Sequence, residues 1–196
     1  MSDVAVILAA GGGLRFNAND PEASPGAKLF ALIKDKPVLD WAIAPVLEAQ
    51  FDEVIVVGGA ANLQEIVPEG VTLLQNPEWS RGLASSLHVA LDWCEVHGYQ
   101  RALVGLGDSP GLTSQAWTAV RDAPGGPIVF ATYAGRRGHP VRLDADVWPL
   151  LPKDGEEGAR ALVRKRPDLA SEVACLGEPA DIDTPTDLQE WSRAWN

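Results

Sequence analysis

The chain has 196 residues, enough for one well-buried core, and no Ser/Gly-rich or charged linker divides it, so residues 1–196 read as a single domain. Its 16 Lys+Arg against 27 Asp+Glu give a formal charge of -11, which argues against a nucleic-acid partner but leaves room for a small anion held by a few local cations and a metal. Cys94 and Cys175 have no metal-type spacing, no basic, apolar leader precedes the first strand, and the apolar runs are too short to span a bilayer. A cytoplasmic protein without a membrane partner is the expectation.

The first β-branched run, Val4 to Leu8, predicts a buried strand. It leads straight into Leu8-Ala9-Ala10-Gly11-Gly12-Gly13-Leu14-Arg15, a turn whose backbone N–H groups can meet phosphate oxygens. This is neither of two familiar phosphate loops. A dinucleotide fingerprint needs glycine where Phe16 stands, and a P-loop ending at Lys28 needs glycine at Pro21 and Ser or Thr at Leu29. What remains is a glycine turn with two cations, Arg15 and Lys28, that can neutralise a triphosphate or simply lie on the surface.

A helix is predicted from Val38 to Gln50, with Pro45 expected to kink or split it. Strands follow at Val54 to Val57 and Val71 to Leu74, then the stretch from Asn76 to Ser86, which leads into a helix from Arg81 to His97. Ser85, Ser86 and the helix-start N–H groups can meet an anion or serve as ordinary caps. Leu83, Leu87, Ala90, Leu91 and Cys94 recur at helical spacing, which makes Cys94 a core residue, and His88 and His97 read as structural or solvent-facing. The strand Ala102 to Leu106 ends at Gly107-Asp108-Ser109-Pro110. There Asp108 is either a turn former or a carboxylate placed at a strand's carboxyl end.

Next come a helix from Ser114 to Arg121, a strand from Ile128 to Thr132, the connection Gly135-Arg136-Arg137-Gly138-His139-Pro140 and a strand from Val141 to Leu143. The rest reads as a helix from Glu156 to Arg166, a strand from Val173 to Leu176, the segment Asp181-Ile182-Asp183-Thr184-Pro185 and a last helix from Pro185 to Trp195. Thr184, Pro185 and Asp187 form a helix-start signature. Strands alternating with helices predict an α/β fold in three layers, a mostly parallel mixed sheet with helices on both faces. Asp108 and Asp183, far apart in sequence, can meet around a hard cation such as Mg2+, which takes one or two carboxylates plus phosphate oxygens and water.

As a set, Leu8-Ala9-Ala10-Gly11, Arg15, Lys28, Asn76-Pro77 to Ser86, Gly107-Asp108-Ser109-Pro110, Gly138-His139-Pro140-Val141 and Asp181 to Pro185 resemble the MobA-like nucleotidyltransferases, and within them the molybdenum cofactor cytidylyltransferases. The resemblance covers essentially the full length. It implies a Rossmann-like sheet with one reversed strand and a metal on Asp108 and Asp183. It also implies a nucleotide gripped by Leu8 to Gly13, Arg15, Lys28 and Asn76, with Arg15, Lys28 and Asp108 catalytic. By the same likeness Ser85, Ser86, Arg137 and His139 are candidates for acceptor binding, and a molybdoenzyme is the expected recipient of the product. The Leu-Ala-Ala-Gly form of the turn is similar to the cytidylyl-transferring members and points to CTP as donor, molybdenum-bound molybdopterin as acceptor and pyrophosphate as leaving group. Two alternatives stand beside this: transfer to a sugar or polyol phosphate, and a carrier of nucleotide or pterin without turnover. Two departures from the family pattern are the long acidic loop from Phe16 to Ala27 and Leu14 where a small hydroxyl residue is common.

Overall fold

The computed structural model describes residues 2–18 and 22–194. In chain order the elements are β1 (Asp3–Leu8), β2 (Leu32–Ile33), β3 (Lys36–Pro37), α1 (Val38–Glu48), β4 (Glu53–Gly58), β5 (Thr72–Gln75) and α2 (Leu83–Val96). They continue with β6 (Arg101–Leu106), α3 (Ser114–Asp122), β7 (Ile128–Tyr133), β8 (Arg136–Asp144), α4 (Ala159–Lys165), β9 (Ala170–Ala174) and α5 (Pro185–Ala194). No helix among the described residues is long and apolar enough to cross a membrane.

Seven strands form one sheet in the order β5-β4-β1-β6-β8-β7-β9, and β2 pairs with β3 in a separate small hairpin. Every neighbouring pair in the large sheet is parallel except those made by β8, which runs antiparallel to both β6 and β7. The β-branched runs account for this arrangement, because a strand buried on both faces has apolar residues at every position. Val4, Val6 and Leu8 face α2 and α4 together with Ile55, Val57 and Val104. Ala5 and Ile7 face α1 and α3 together with Val54, Val56 and Leu103. Helices on both faces of a mostly parallel sheet match the fold predicted from the alternation.

Four details depart from the predicted elements. Helix α1 runs unbroken through Pro45. A proline inside a helix costs about 3 kcal/mol, but full burial of a side chain such as Ile43 or Val46 returns about 1.5–3 kcal/mol each, and the packed face wins. The ninth strand ends at Ala174, before the predicted Cys175 and Leu176, because the Leu176 carbonyl leaves the sheet and accepts from Thr113 Oγ1 at 3.1 Å. Strand β8 starts at Arg136, several residues ahead of the predicted Val141. The β2–β3 hairpin has strands too short to show periodicity. Trp195, the predicted end of the last helix, lies outside the described residues. Cys94, on the buried face of α2, is wholly buried as predicted, and burial pushes its thiol up to about 12.

Candidate active site

The turns that follow β1 and β6 border a cleft of about 840 Å3 at the carboxyl ends of the parallel strands. Gly11, Gly12 and Gly13 line its mouth. Gly13 has φ +66, a conformation L side chains rarely adopt, and a Cβ on Gly12 would lie 3.1 Å from the ring of Trp79. The glycine run thus lets the turn bend and lets Trp79 close against it. The Gly26 N–H donates to the Gly12 carbonyl at 2.9 Å, so the segment after the long loop returns to the turn and carries Lys28 into the cleft. Of that loop, residues 19–21 lie outside the described residues.

Lys28 is buried, and its ammonium donates to Asp108 Oδ2 while lying 3.6 Å from Asp183 Oδ1. Arg15 Nη1 lies 2.9 Å from Asp183 Oδ2. The sequence therefore brings Arg15, Lys28, Asp108 and Asp183 together as a chain of alternating charge. Two hydrogen-bonding patterns fix the carboxylates. The Ile182 N–H donates to the Asp108 carbonyl at 2.8 Å and docks one acidic segment on the other. At the start of α5, Asp187 Oδ2 accepts from the N–H groups of Asp183 and Thr184 at 3.0 and 2.8 Å, and the Asp187 N–H donates to Thr184 Oγ1 at 3.2 Å. This is the predicted capping box, and it sets the direction in which Asp183 faces.

Asp108 and Asp183 each hold a carboxylate oxygen near the Lys28 ammonium, and a pair of carboxylates so placed suits a hard divalent cation. No group of three or more His, Cys, Asp or Glu among the described residues makes a full metal cage. A cation here would draw its other ligands from phosphate and water.

The remaining predicted residues divide. Leu8 and Ala10 line the cleft with the glycines, and Ala9 lies just beneath in the core. Asn76, Ser85 and Ser86 are buried. Asn76 Nδ2 donates to the two hydroxyls at 2.9 and 3.0 Å, and Ser85 Oγ donates to the Gly82 carbonyl at 2.8 Å, an arrangement that ties the end of β5 to the first turn of α2. Only Ser86 of the three borders the cleft. The α2 start is closed by the loop before α4: the Ala84 N–H donates to the Gly155 carbonyl at 2.9 Å and the Leu83 N–H to Glu156 Oε2 at 3.3 Å. Arg137 stands outside the cleft, its Nε donating to Glu172 Oε1 at 2.6 Å. His139 borders the cleft, and its Nδ1 lies 3.1 Å from the Val104 carbonyl, which can only accept, so Nδ1 carries the proton. Burial holds this imidazole below its ordinary pKa, and the Arg160 guanidinium reinforces the effect.

Three features of the site were not singled out from the sequence. Trp79 was legible only as one tryptophan among several, although the glycines that make room for it were in view. Asp181 accepts from Ser109 Oγ at 2.5 Å; its residue reaches the surface, but the cleft wall crowds the carboxyl, and this burial, with repulsion from Asp108, pushes it up to about 6. The third is the apolar floor formed by Leu83, Leu87, Val104, Leu106, Phe130 and Val141, with Arg160 at its rim.

Known proteins share this architecture. The nicotine blue oxidoreductase of Paenarthrobacter nicotinovorans is 32% identical in an alignment that covers 91% of this chain and 91% of that protein. The crystal structure of Rv0371c from Mycobacterium tuberculosis H37Rv superposes with a TM-score of 0.84 at 27% identity, covering 98% of each chain. A manganese complex of Rv0371c from the same organism gives a TM-score of 0.80 at 24% identity, covering 99% of this chain and 100% of that one, a likeness of fold. Residues 5–170 match the MobA-like NTP transferase domain, and the chain belongs to that family of nucleotidyltransferases.

Proposed function

We propose that the protein transfers CMP from CTP to molybdenum-bound molybdopterin and releases pyrophosphate, with Arg15, Lys28 and Asp108 as its catalytic residues. The observation that carries this reading is the meeting of Arg15, Lys28, Asp108 and Asp183 at the mouth of one cleft beside the Gly11–Gly13 turn. Backbone N–H groups of the turn and the two cations bind the triphosphate and oppose the charge that grows on it as the bond to the leaving group breaks. A phosphate oxygen of the acceptor forms the new bond to the α-phosphorus, and the bond from that phosphorus to the β-phosphate oxygen breaks. Displacement of this kind depends on positioning and charge, so no side chain has to act as a base.

Asp108 and Asp183 would hold a divalent cation, Mg2+ in this reading, which when bound neutralises triphosphate charge. The manganese held by Rv0371c supports a divalent ion here. The choice of CTP rests on Ala9-Ala10 in the turn, and a receiving molybdoenzyme follows from the product. The test is pyrophosphate release with each of the four NTPs against a panel of acceptors. Turnover confined to CTP and the molybdenum pterin is expected, and turnover confined to sugar or polyol phosphates overturns the acceptor.

The apolar floor favours a second reading. The relative from Paenarthrobacter nicotinovorans is named an oxidoreductase of nicotine blue, and a flat ring lying on Leu83, Leu87 and Phe130 beside a nucleotide would suit hydride transfer from a reduced nicotinamide dinucleotide. Nucleotide oxidation in the presence of nicotine blue, with no pyrophosphate from any NTP, would establish it in place of the first.

A further inference from the structure

We propose that His139 decides which acceptors the cleft takes: its Nε2 accepts a hydrogen bond from an N–H at the edge of a flat heterocycle seated on the apolar floor, and a ring without an N–H there is rejected; this rests on reading the protein as a nucleotidyltransferase whose acceptor carries such a ring.

The imidazole is fixed at one nitrogen and open at the other. Nδ1 donates to the Val104 carbonyl at 3.1 Å, so Nε2 of the neutral ring keeps only a lone pair. Burial, the largest influence, and the Arg160 guanidinium outweigh the Val104 carbonyl and Asp108, and the ring stays neutral at neutral pH. Nε2 has no partner among the described residues. Nor is it one of the polar side-chain atoms sealed off without a partner there, which are Asn17 Oδ1 and Trp117 Nε1. His139 borders the cleft and a hollow that shares Arg160 and Asp181 with it, so this unpartnered lone pair opens onto space that a ligand can fill.

The surroundings give the chemical class. Val141, two residues along β8, pairs with Val104 of β6 on one side and Phe130 of β7 on the other, and all three line the cleft. An apolar shelf with one acceptor at its edge suits a flat ring that supplies a hydrogen from its rim. A ring that covers Nε2 without supplying one strips the nitrogen of water and leaves it unpaired, which is how a site built for an N–H rejects the analogue lacking it. Strand β6 stands between β1, which leads into the glycine turn, and β8, which carries His139, so the ring read here belongs to the acceptor rather than to CTP. Lys28 and Asp108 line the same cleft, and the acceptor's phosphate remains the nucleophile at that end.

The test uses the full chain, uniformly 15N-labelled, with two probes: neopterin, a pterin with free ring and amino N–H groups, and 1,3-dimethyllumazine, a flat pteridine with none. The expected result is a shift of the His139 Nε2 signal with neopterin, with His88 and His97 unmoved, and no such shift with dimethyllumazine or Mg–CTP. Neopterin should bind the parent at least about tenfold more tightly than dimethyllumazine, or about 1.4 kcal/mol, and H139L should abolish that preference. H139Q, whose amide oxygen can replace the lone pair, should restore most of it. Both variants lose the bond to Val104, so a merely structural histidine would move both alike. A His139 Nε2 signal unmoved by neopterin, equal affinity of the parent for the two probes, a preference that survives H139L, or a shift with Mg–CTP alone would each overturn the proposal; thermal unfolding confirms that the variants are folded. The functional reading fails separately. If Mg–CTP leaves the Gly11–Gly13 amides unmoved while neopterin still shifts His139 Nε2, the reading of a ring N–H by His139 stands and nucleotide transfer from CTP falls.

Discussion

The two ends of the sheet use the same residue types for opposite purposes. At the amino-terminal end, Arg101 grips Asp3 through Nε and Nη2 at 2.5 and 2.6 Å. Arg142, buried, donates to Asp144 at 3.1 Å and to the carbonyls of Arg121, Ala123 and Gly126 at 3.1, 2.7 and 3.3 Å. At the carboxyl end, Arg15 and Lys28 meet only carboxylates among the described residues, and those carboxylates sit on the turns after β6 and before α5. Donors that end on backbone carbonyls cannot be re-partnered without unfolding. Donors that end on loop carboxylates can exchange them for a phosphate. The number of immovable partners, rather than the count of charges, separates scaffold from site.

The comparison breaks first at Asp108. Asp108→Asn removes a charge but keeps the shape, and Lys28 retains Asp183 at 3.6 Å. We expect turnover in the pyrophosphate assay to fall about a thousandfold, or about 4 kcal/mol of barrier, with an unfolding midpoint close to that of the parent. A large loss of stability instead would make Asp108 part of the scaffold. The opposite end gives the reverse pattern. Arg142→Met leaves Asp144 and the carbonyls of Ala123 and Gly126 without this donor and should cost about 3 kcal/mol in urea unfolding, while the folded fraction keeps its affinity for CTP in calorimetry.

The same distinction explains what the sequence made legible. Strand runs, the glycine turn, Asp108 and the Thr184–Asp187 cap were readable because each is a local pattern in which a few adjacent residues determine their own geometry. Lys28 was harder, since only the Gly26–Gly12 hydrogen bond shows that the long loop brings it back. Ser85 and Ser86 were open in the sequence between capping and anion contact, and their hydrogen bonds from the buried Asn76 amide are a long-range fact that no local pattern shows. Arg160 escaped notice because only the packing of α4 brings it to the rim of the cleft. Pro45 misled because propensity is local while the buried face of α1 is a tertiary gain.

Asn76 sharpens the comparison, since it lies at the functional end yet is wired like the scaffold. Its amide donates to two buried hydroxyls, and its Oδ1 accepts from the Glu78 N–H at 2.9 Å. Asn76→Ala should cost about 2 kcal/mol of stability through the unpaired groups left behind. Calorimetry with CTP on the folded variant separates the roles: unchanged affinity marks a strut, and a loss of tenfold or more marks a nucleotide contact.

The smallest effect belongs to His139, which lies on the boundary between the two kinds of site. Its Nδ1 is fixed on a backbone carbonyl, as at the scaffold end, while its ring borders the cleft. Because burial depresses its folded pKa below the ordinary 6.5, the unfolded chain binds the proton more readily. Its contribution to stability is therefore complete above that value and declines as pH falls through it towards the depressed folded value. His139→Asn places an amide nitrogen near the position of Nδ1 and cannot titrate. Urea unfolding of the two proteins should run in parallel above neutrality, with the parent losing stability faster on acidification. Parallel curves throughout would mean that the imidazole is as well solvated folded as unfolded, and that the cleft wall around His139 is open to water.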